Sequence, residues 1–105
     1  TPSDVDIAIL LESGMSAERS LDIRTELMFT LMKMVGKNVD VVILNRANVV
    51  LRHQVVKHGK LLYEREKDLS CAYQVATLRD YEDYLPMQRY YMNVMDKRLG
   101  IDDNG

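Results

Sequence analysis

A short apolar segment near the start of the chain carries two aspartates at alternate positions. Ser3 to Leu10 has the sequence SDVDIAIL, which predicts a first strand from about Asp4 to Leu11. Alternate residues of a strand point to one face and lie roughly 6.5 Å apart, so Asp4 and Asp6 should project side by side. Carboxylates are rarely buried unless they are paired or bind a metal. Two like charges this close also repel, and a divalent cation would relieve both the burial cost and the repulsion.

The composition limits the size of the fold and its partners. The 105 residues, 47% hydrophobic and 29% charged, suit one soluble globular domain. A net charge of −2 and a pI near 5.6 argue against non-specific nucleic-acid binding, which needs a basic surface. No apolar run is long enough to span a membrane, and the single cysteine, Cys71, fits a reducing compartment. We therefore expect a cytoplasmic protein that binds neither membranes nor, directly, nucleic acid.

Periodic patterns predict a helix and a second strand in the first half of the chain. Ser16 is a suitable N-cap for a helix that reaches about Val35, and Gly36 suits the C-terminal cap. The β-branched run from Val39 to Leu44 predicts the second strand, and its one charged residue is Asp40.

The second half of the chain is predicted to be mostly helical. A helix is expected from Asn45 to about His58, followed by a short third strand at Leu61–Tyr63. From about Lys67 the pattern is helical, and Pro86 is expected to break or kink the helix.

The order of these elements predicts an α/β (α+β) fold. A small sheet with flanking helices would be followed by a C-terminal helical segment. We assign residues 1–66 to the core and residues 67–105 to C-terminal helices of the same domain. Because a helix connects the first two strands, those strands can be neighbours, with Asp40 close to the acidic pair.

Three aspartates on neighbouring strands suit phosphoryl or nucleotidyl transfer with a divalent metal. Asp4 and Asp6 would bridge two ions about 3.5–4 Å apart. Mg²⁺ favours a few carboxylates together with nucleotide phosphate oxygens. Asp40 would bind one ion and accept a proton from the acceptor hydroxyl. The Asp-x-Asp pair alone is more typical of solvated acids at the start of a strand than of a metal site, and Asp40 strengthens the prediction of a metal site.

Three segments together resemble minimal nucleotidyltransferase (MNT) domains of the DNA polymerase β-like superfamily. SDVDIAIL, from Ser3, is similar to that family's Ser-Asp-x-Asp-Leu-x-Val strand, and VDVVILN, from Val39, to the strand with its third acid. LRHQVVKHGKLLYE, from Leu51, is similar to a segment of antitoxin-like members. The likeness covers roughly residues 3–66, in matching order and spacing.

The resemblance implies a mixed-sheet nucleotidyltransferase fold, Mg²⁺ as cofactor and ATP as substrate. Asp4 and Asp6 would be metal ligands, and Asp40 the third ligand and the general base. Many such proteins are antitoxins of HEPN-domain ribonuclease toxins, and some transfer AMP from ATP to a toxin tyrosine. The predicted function is therefore a Mg-dependent protein adenylyltransferase antitoxin with a HEPN toxin as partner. Assembly into a homo-oligomer stays open.

The resemblance also implies a phosphate-binding Gly-Ser turn shortly before the first acid, upstream of Thr1. Backbone N–H groups in such a turn bind phosphate. We expect this turn in the full-length gene product, and we expect the given residues alone to bind nucleotide poorly. The nucleotide-binding residues are therefore not identified.

Two alternative functions stay open. A non-catalytic antitoxin would mask the toxin, and its action would survive loss of all three aspartates. A nucleotidyltransferase with a small-molecule acceptor would need a pocket that a chain of 105 residues has little room to build.

Other polar residues are expected to have structural roles. His53 and His58 are five residues apart and do not share a helix face, so we expect no metal between them. The basic residues predicted nearest the site are expected to be solvated, with contact of one of them to triphosphate left open as the alternative: Arg46, Arg52, Lys57 and Lys60. Four tyrosines around Pro86 fit either helix packing or a partner surface: Tyr81, Tyr84, Tyr90 and Tyr91.

Overall fold

The computed structural model describes residues 3–100, which divide into two compact units. In chain order the elements are β1 (Val5–Ile9), α1 (Ala17–Val35), β2 (Val39–Ile43), a 3-10 turn (Leu44–Arg46), α2 (Val49–His58) and α3 (Leu69–Leu99). These elements confirm the α/β class. The first unit ends at Asn48 and the second begins at Val49. The division of one domain after residue 66 stays a prediction.

The first unit contains a two-stranded parallel sheet. β1 pairs with β2 in register, from Val5 opposite Val39 to Ile9 opposite Ile43. A parallel pair requires a crossover between its strands, and α1 supplies it.

The ends of α1 are capped as the sequence predicts. Ser16 Oγ accepts a hydrogen bond from Arg19 N at 3.1 Å, which satisfies one of the N–H groups that a helix leaves free at its start. Gly36 ends the helix at φ 66°, a left-handed conformation that glycine adopts without steric cost. Its N–H donates to Met32 O at 2.9 Å. Both predicted ends of this helix are confirmed.

β2 supplies most of the buried apolar residues of the first unit, and α1 packs against it. Val39 and Val41 are 5% and 0% exposed. Asp40, between these two valines, stays partly exposed. Successive side chains of a strand point to opposite faces, so Asp40 lies on the face away from the buried valines.

One side chain joins the ends of the two strands. Asn45 Nδ2 donates to Leu11 O, and Asn45 Oδ1 accepts from Leu11 N, both at 2.8 Å. The amide thus continues the pairing beyond the last residues of β1 and β2. The predicted helix from Asn45 is wrong at its start, because this contact holds residues 44–46 in a 3-10 turn. The α-helix begins only at Val49.

The segment between α2 and α3 does not form the predicted third strand. Residues 59–64 have no regular structure, and no strand between residues 3 and 100 pairs with them. A strand needs a partner for its backbone groups. Without one, Leu61, Leu62 and Tyr63 are 56%, 76% and 79% exposed.

The C-terminal helix of the second unit is continuous. α3 has 31 residues, begins at Leu69 rather than Lys67, and contains Pro86 in its interior. The predicted break at Pro86 is wrong. Proline removes one backbone donor, and the hydrogen bonds of the other turns maintain the helix on both sides. None of the helices in residues 3–100 is long and apolar enough to cross a membrane.

A carboxylate from outside α3 caps its first turn. Asp68, at the N-cap position, has φ 68° and makes no capping bond with its side chain. Glu64 Oε2 instead accepts a hydrogen bond from Ser70 N at 2.8 Å. The side chain of Ser70, and then its backbone N–H, lower the pKa of Glu64 below 4.5.

We expect this cap to weaken in acid. A carboxyl group whose pKa is lowered by folding stabilises the fold above its unfolded pKa, and the effect is lost as the pH falls through the lowered pKa. For Glu64 the loss should therefore occur below pH 4.5. An NMR titration of the Ser70 amide should show this change, and Glu64→Gln should abolish it. Glu82→Gln, an exposed change within α3, is the control. A Ser70 amide that titrates equally in Glu64→Gln would contradict the cap.

Candidate nucleotidyltransferase site

Two of the three predicted site aspartates lie directly opposite each other. Asp6 is the second residue of β1, Asp40 is the second residue of β2, and the register pairs them. Neighbouring strands lie about 4.8 Å apart, and residues in register point to the same face. The carboxylates of Asp6 and Asp40 therefore share one face of the sheet, away from the buried valines of β2.

The third aspartate lies just outside the regular strand. Asp4 is in a bend immediately before β1. Its N–H and that of Val5 both donate to Asn38 O at 3.1 Å. The alternation of side chains along a strand therefore does not fix the direction of the Asp4 side chain.

No group of three His, Cys, Asp or Glu side chains in residues 3–100 is arranged to hold a metal ion. The structure thus pairs Asp6 with Asp40 but does not gather Asp4 into one cluster with them. Two carboxylates are still a suitable donor set for Mg²⁺, which binds one or two of them and completes its octahedron with water and substrate phosphates. The chemistry of these two residues fits the ion.

Each carboxylate of the pair accepts a hydrogen bond from a side chain of the first unit. Ser3 Oγ donates to Asp6 Oδ1. Arg24, on α1, donates from Nη2 to Asp40 Oδ1 at 3.0 Å and from Nε to Val41 O at 2.6 Å. A carboxylate can accept about four hydrogen bonds, so these contacts leave lone pairs for a metal ion or a proton.

Arg24 was not among the predicted site residues, since the basic residues predicted near the site all follow the second strand. The signal was present in the periodicity of α1. Arg24 lies four residues from Ser20, which is 4% exposed, and four from Met28, which is half-buried. Residues four apart share a helix face. An arginine within a partly buried helix face indicates a specific partner.

Two open pockets lie in the first unit. The larger, about 490 Å³, is lined by Asp40 together with Ser3, Met28, Phe29, Met32, Asn38 and Val39. The smaller, about 310 Å³, is lined by Glu12, Ser13, Gly14, Met15, Ser20, Asn45 and Arg46. The larger pocket includes one member of the aspartate pair and therefore adjoins the candidate site.

Polar side chains of the second unit pack α2 against α3. Arg52 Nη1 forms an ion pair with Asp80 Oδ2 at 3.1 Å. The rings of His53 and Tyr81 stack with centroids 3.6 Å apart and planes at 8°. Burial raises the pKa of Tyr73. These contacts give Arg52 and His53 structural partners within their own unit.

The four tyrosines around Pro86 fall into two pairs. Tyr81 and Tyr84 have ring centroids 6.2 Å apart, and Tyr81 is the partner of His53, which favours the packing interpretation. Tyr90 and Tyr91 are 66% and 61% exposed. A partner surface at these two residues stays a prediction.

A comparison with protein families identifies the fold. The family described as polymerase beta, nucleotidyltransferase matches residues 1–68. The chain belongs to this family. The matched segment of this nucleotidyltransferase includes β1, α1, β2 and α2, with the paired aspartates and Arg24. A comparison with curated proteins gives no match.

Solved structures of toxin–antitoxin complexes share the fold of this nucleotidyltransferase. A chain of the MntA–HepT complex is 28% identical, with a TM-score of 0.68 over 86% of this chain and 73% of that chain. A toxin–antitoxin structure with AMP-PNP has the same identity and TM-score, over 68% of that chain. A complex of tri-AMPylated Shewanella oneidensis HEPN toxin with MNT antitoxin also has 28% identity and a TM-score of 0.68, over 71% of that chain. The resemblance to MNT antitoxins is confirmed.

Proposed function

We propose that the protein is an antitoxin that transfers AMP from ATP to a HEPN-domain toxin, with Mg²⁺ as cofactor. The pairing of Asp6 with Asp40 in a nucleotidyltransferase fold carries this proposal. Similar structures support the choice of nucleotide and partner, since one contains AMP-PNP and another an AMPylated HEPN toxin with an MNT antitoxin. The proposal includes a cytoplasmic location, which the single cysteine favours.

The aspartates have separate roles in this proposal. Asp6 and Asp40, with Asp4, hold Mg²⁺, which when bound neutralises triphosphate charge and orients the nucleotide. The hydroxyl oxygen of a toxin tyrosine attacks the α-phosphorus of ATP. A new P–O bond to the tyrosine forms, the bond between the α-phosphorus and the bridging oxygen breaks, and pyrophosphate leaves. Asp40 accepts the proton of the hydroxyl.

An AMP-transfer assay tests the proposal. The full-length protein is incubated with radiolabelled ATP, Mg²⁺ and the toxin encoded by the neighbouring gene. Label should move to the toxin, and chelation of Mg²⁺ with EDTA should reduce transfer to background. A reaction without toxin is the control, and mass spectrometry should find AMP on a toxin tyrosine.

Other outcomes would favour the alternative functions. A stable complex with no label on the toxin would replace the enzyme with a non-catalytic antitoxin. Label on a small molecule, with the toxin unmodified, would identify a different acceptor. The assay therefore separates the three hypotheses in one set of reactions.

A further inference from the structure

The guanidinium group of Arg24 contacts two successive residues of β2. It donates to Asp40 Oδ1 at 3.0 Å and to Val41 O at 2.6 Å. The Arg24 and Asp40 side chains are 33% and 47% exposed, so the pair is partly shielded from solvent. Because the guanidinium is planar and rigid, bonds from two of its nitrogens fix its orientation as well as its position.

The helix that carries Arg24 is anchored near this contact. Ser20, one turn earlier, donates through its Oγ to Ser16 O at 2.9 Å and is almost fully buried. α1 also packs against β2. The backbone of Arg24 is therefore held relative to the strand that it contacts.

Arg24 reaches Asp40 from the edge of β2 that is opposite β1. Asn38 O accepts hydrogen bonds from Asp4 and Val5, so it faces β1. Carbonyl groups of successive strand residues point alternately to the two edges. The carbonyl of Val41, three residues later, therefore faces the other edge. Arg24, which binds that carbonyl, leaves the space between the two paired aspartates open.

We propose that Arg24 is a positioning residue that fixes the Asp40 carboxylate through Oδ1 before nucleotide binds, so that Oδ2 faces the site that Asp40 shares with Asp6. This inference rests on the proposed AMP transfer. The positive charge of Arg24 also offsets the repulsion between the Asp6 and Asp40 carboxylates. Loss of Arg24 should therefore have two separable effects. Asp40 becomes free to rotate, which slows the chemical step, and a positive charge near the Mg²⁺ site disappears, which strengthens metal binding.

The test compares Arg24→Gln and Arg24→Lys in the full-length protein. Arg24→Gln should lower kcat for AMP transfer by about 10- to 100-fold, because small displacements of a catalytic group have effects of this size. Arg24→Lys retains the charge but not the planar pair of bonds, so its kcat should lie between those of Arg24→Gln and the wild type. Arg19→Gln, an exposed change on the same helix, is the matched control.

The second readout is the Kd for Mg²⁺ without nucleotide, from isothermal titration calorimetry. Arg24→Gln should bind Mg²⁺ about threefold more tightly, as expected when a nearby positive charge is removed at partial exposure. A purely structural role would lower Tm and leave the Kd of the folded protein unchanged. A folded Arg24→Gln variant with wild-type kcat, or with unchanged or weaker Mg²⁺ binding, overturns the inference.

Failure of the proposed function gives a different result. A wild-type protein that transfers no AMP refutes the transferase, and the Mg²⁺ titration still tests Arg24. Tighter binding by Arg24→Gln would then support its electrostatic contact with Asp40, and an unchanged Kd would refute it.

Discussion

Replacing Asp6 or Asp40 with asparagine is expected to lower AMP transfer to the toxin by about 1000-fold or more. Loss of a metal ligand removes several kcal/mol of transition-state stabilisation, and about 4 kcal/mol corresponds to this factor. The two carboxylates lie opposite each other on neighbouring strands, so each change should affect the same bound ion. Asparagine retains the size of the side chain, and neither aspartate is buried, so the fold should be preserved.

The transfer assay with matched variants measures this effect. Asp4→Asn alone should lower the rate of AMP transfer less than Asp6→Asn does, because Asp4 lies in a bend outside the strand pair. The double variant Asp4→Asn with Asp6→Asn should abolish transfer. Asp22→Asn, an exposed change on α1 with the same loss of charge, should transfer AMP at the wild-type rate. Transfer that survives the double change in a folded protein would exclude the mechanism.

Replacing Val41 with alanine is expected to give the largest loss of stability among conservative core changes. The Val41 side chain is 0% exposed and lies on the strand against which α1 packs. Removing its two methyl groups loses their transfer free energy and leaves a cavity, at a combined cost of about 2 kcal/mol. Urea unfolding should show a lower midpoint with an unchanged m-value.

Val35→Ala provides the comparison for this measurement. Val35, the last residue of α1, is 46% exposed, and surface substitutions usually change stability by less than about 0.5 kcal/mol. Equal midpoints for the Val41 and Val35 variants would show that β2 is not the centre of the core of the first unit.

The elements of the first unit that local sequence determines were predicted correctly. Ser16 and Gly36 are caps whose preference for helix ends is intrinsic to the residue, so the ends of α1 could be predicted. The β-branched run of β2 has a strong strand propensity. The fold class followed from the order of these elements.

The errors occur where a tertiary contact decides the local structure. Leu61–Tyr63 has the composition of a strand, but its state depends on a partner that its own residues cannot specify. Asn45 was placed in a helix, whereas its amide binds the backbone of Leu11 across the sheet. Pro86 was expected to break or kink the helix, and the surrounding turns maintain it without a break.

Only those residues of the candidate site that lie in strand motifs could be predicted from the sequence. Asp6 and Asp40 could be found because each lies on a strand with a recognisable pattern, and the parallel register then pairs them. Arg24 lies on the crossover helix, 16 residues from its partner Asp40. A contact across that distance depends on how α1 packs, so no strand motif contains it.

The alternation along β2 makes folding and activity depend on the same alignment. Val39 and Val41 face the core, while Asp40 faces the other way and pairs with Asp6. A shift of one residue would reverse every side chain of the strand. It would turn the Asp40 charge into the apolar core and expose both valines. A misaligned chain would therefore lose its core together with its site, so a stable but inactive product of misfolding is disfavoured.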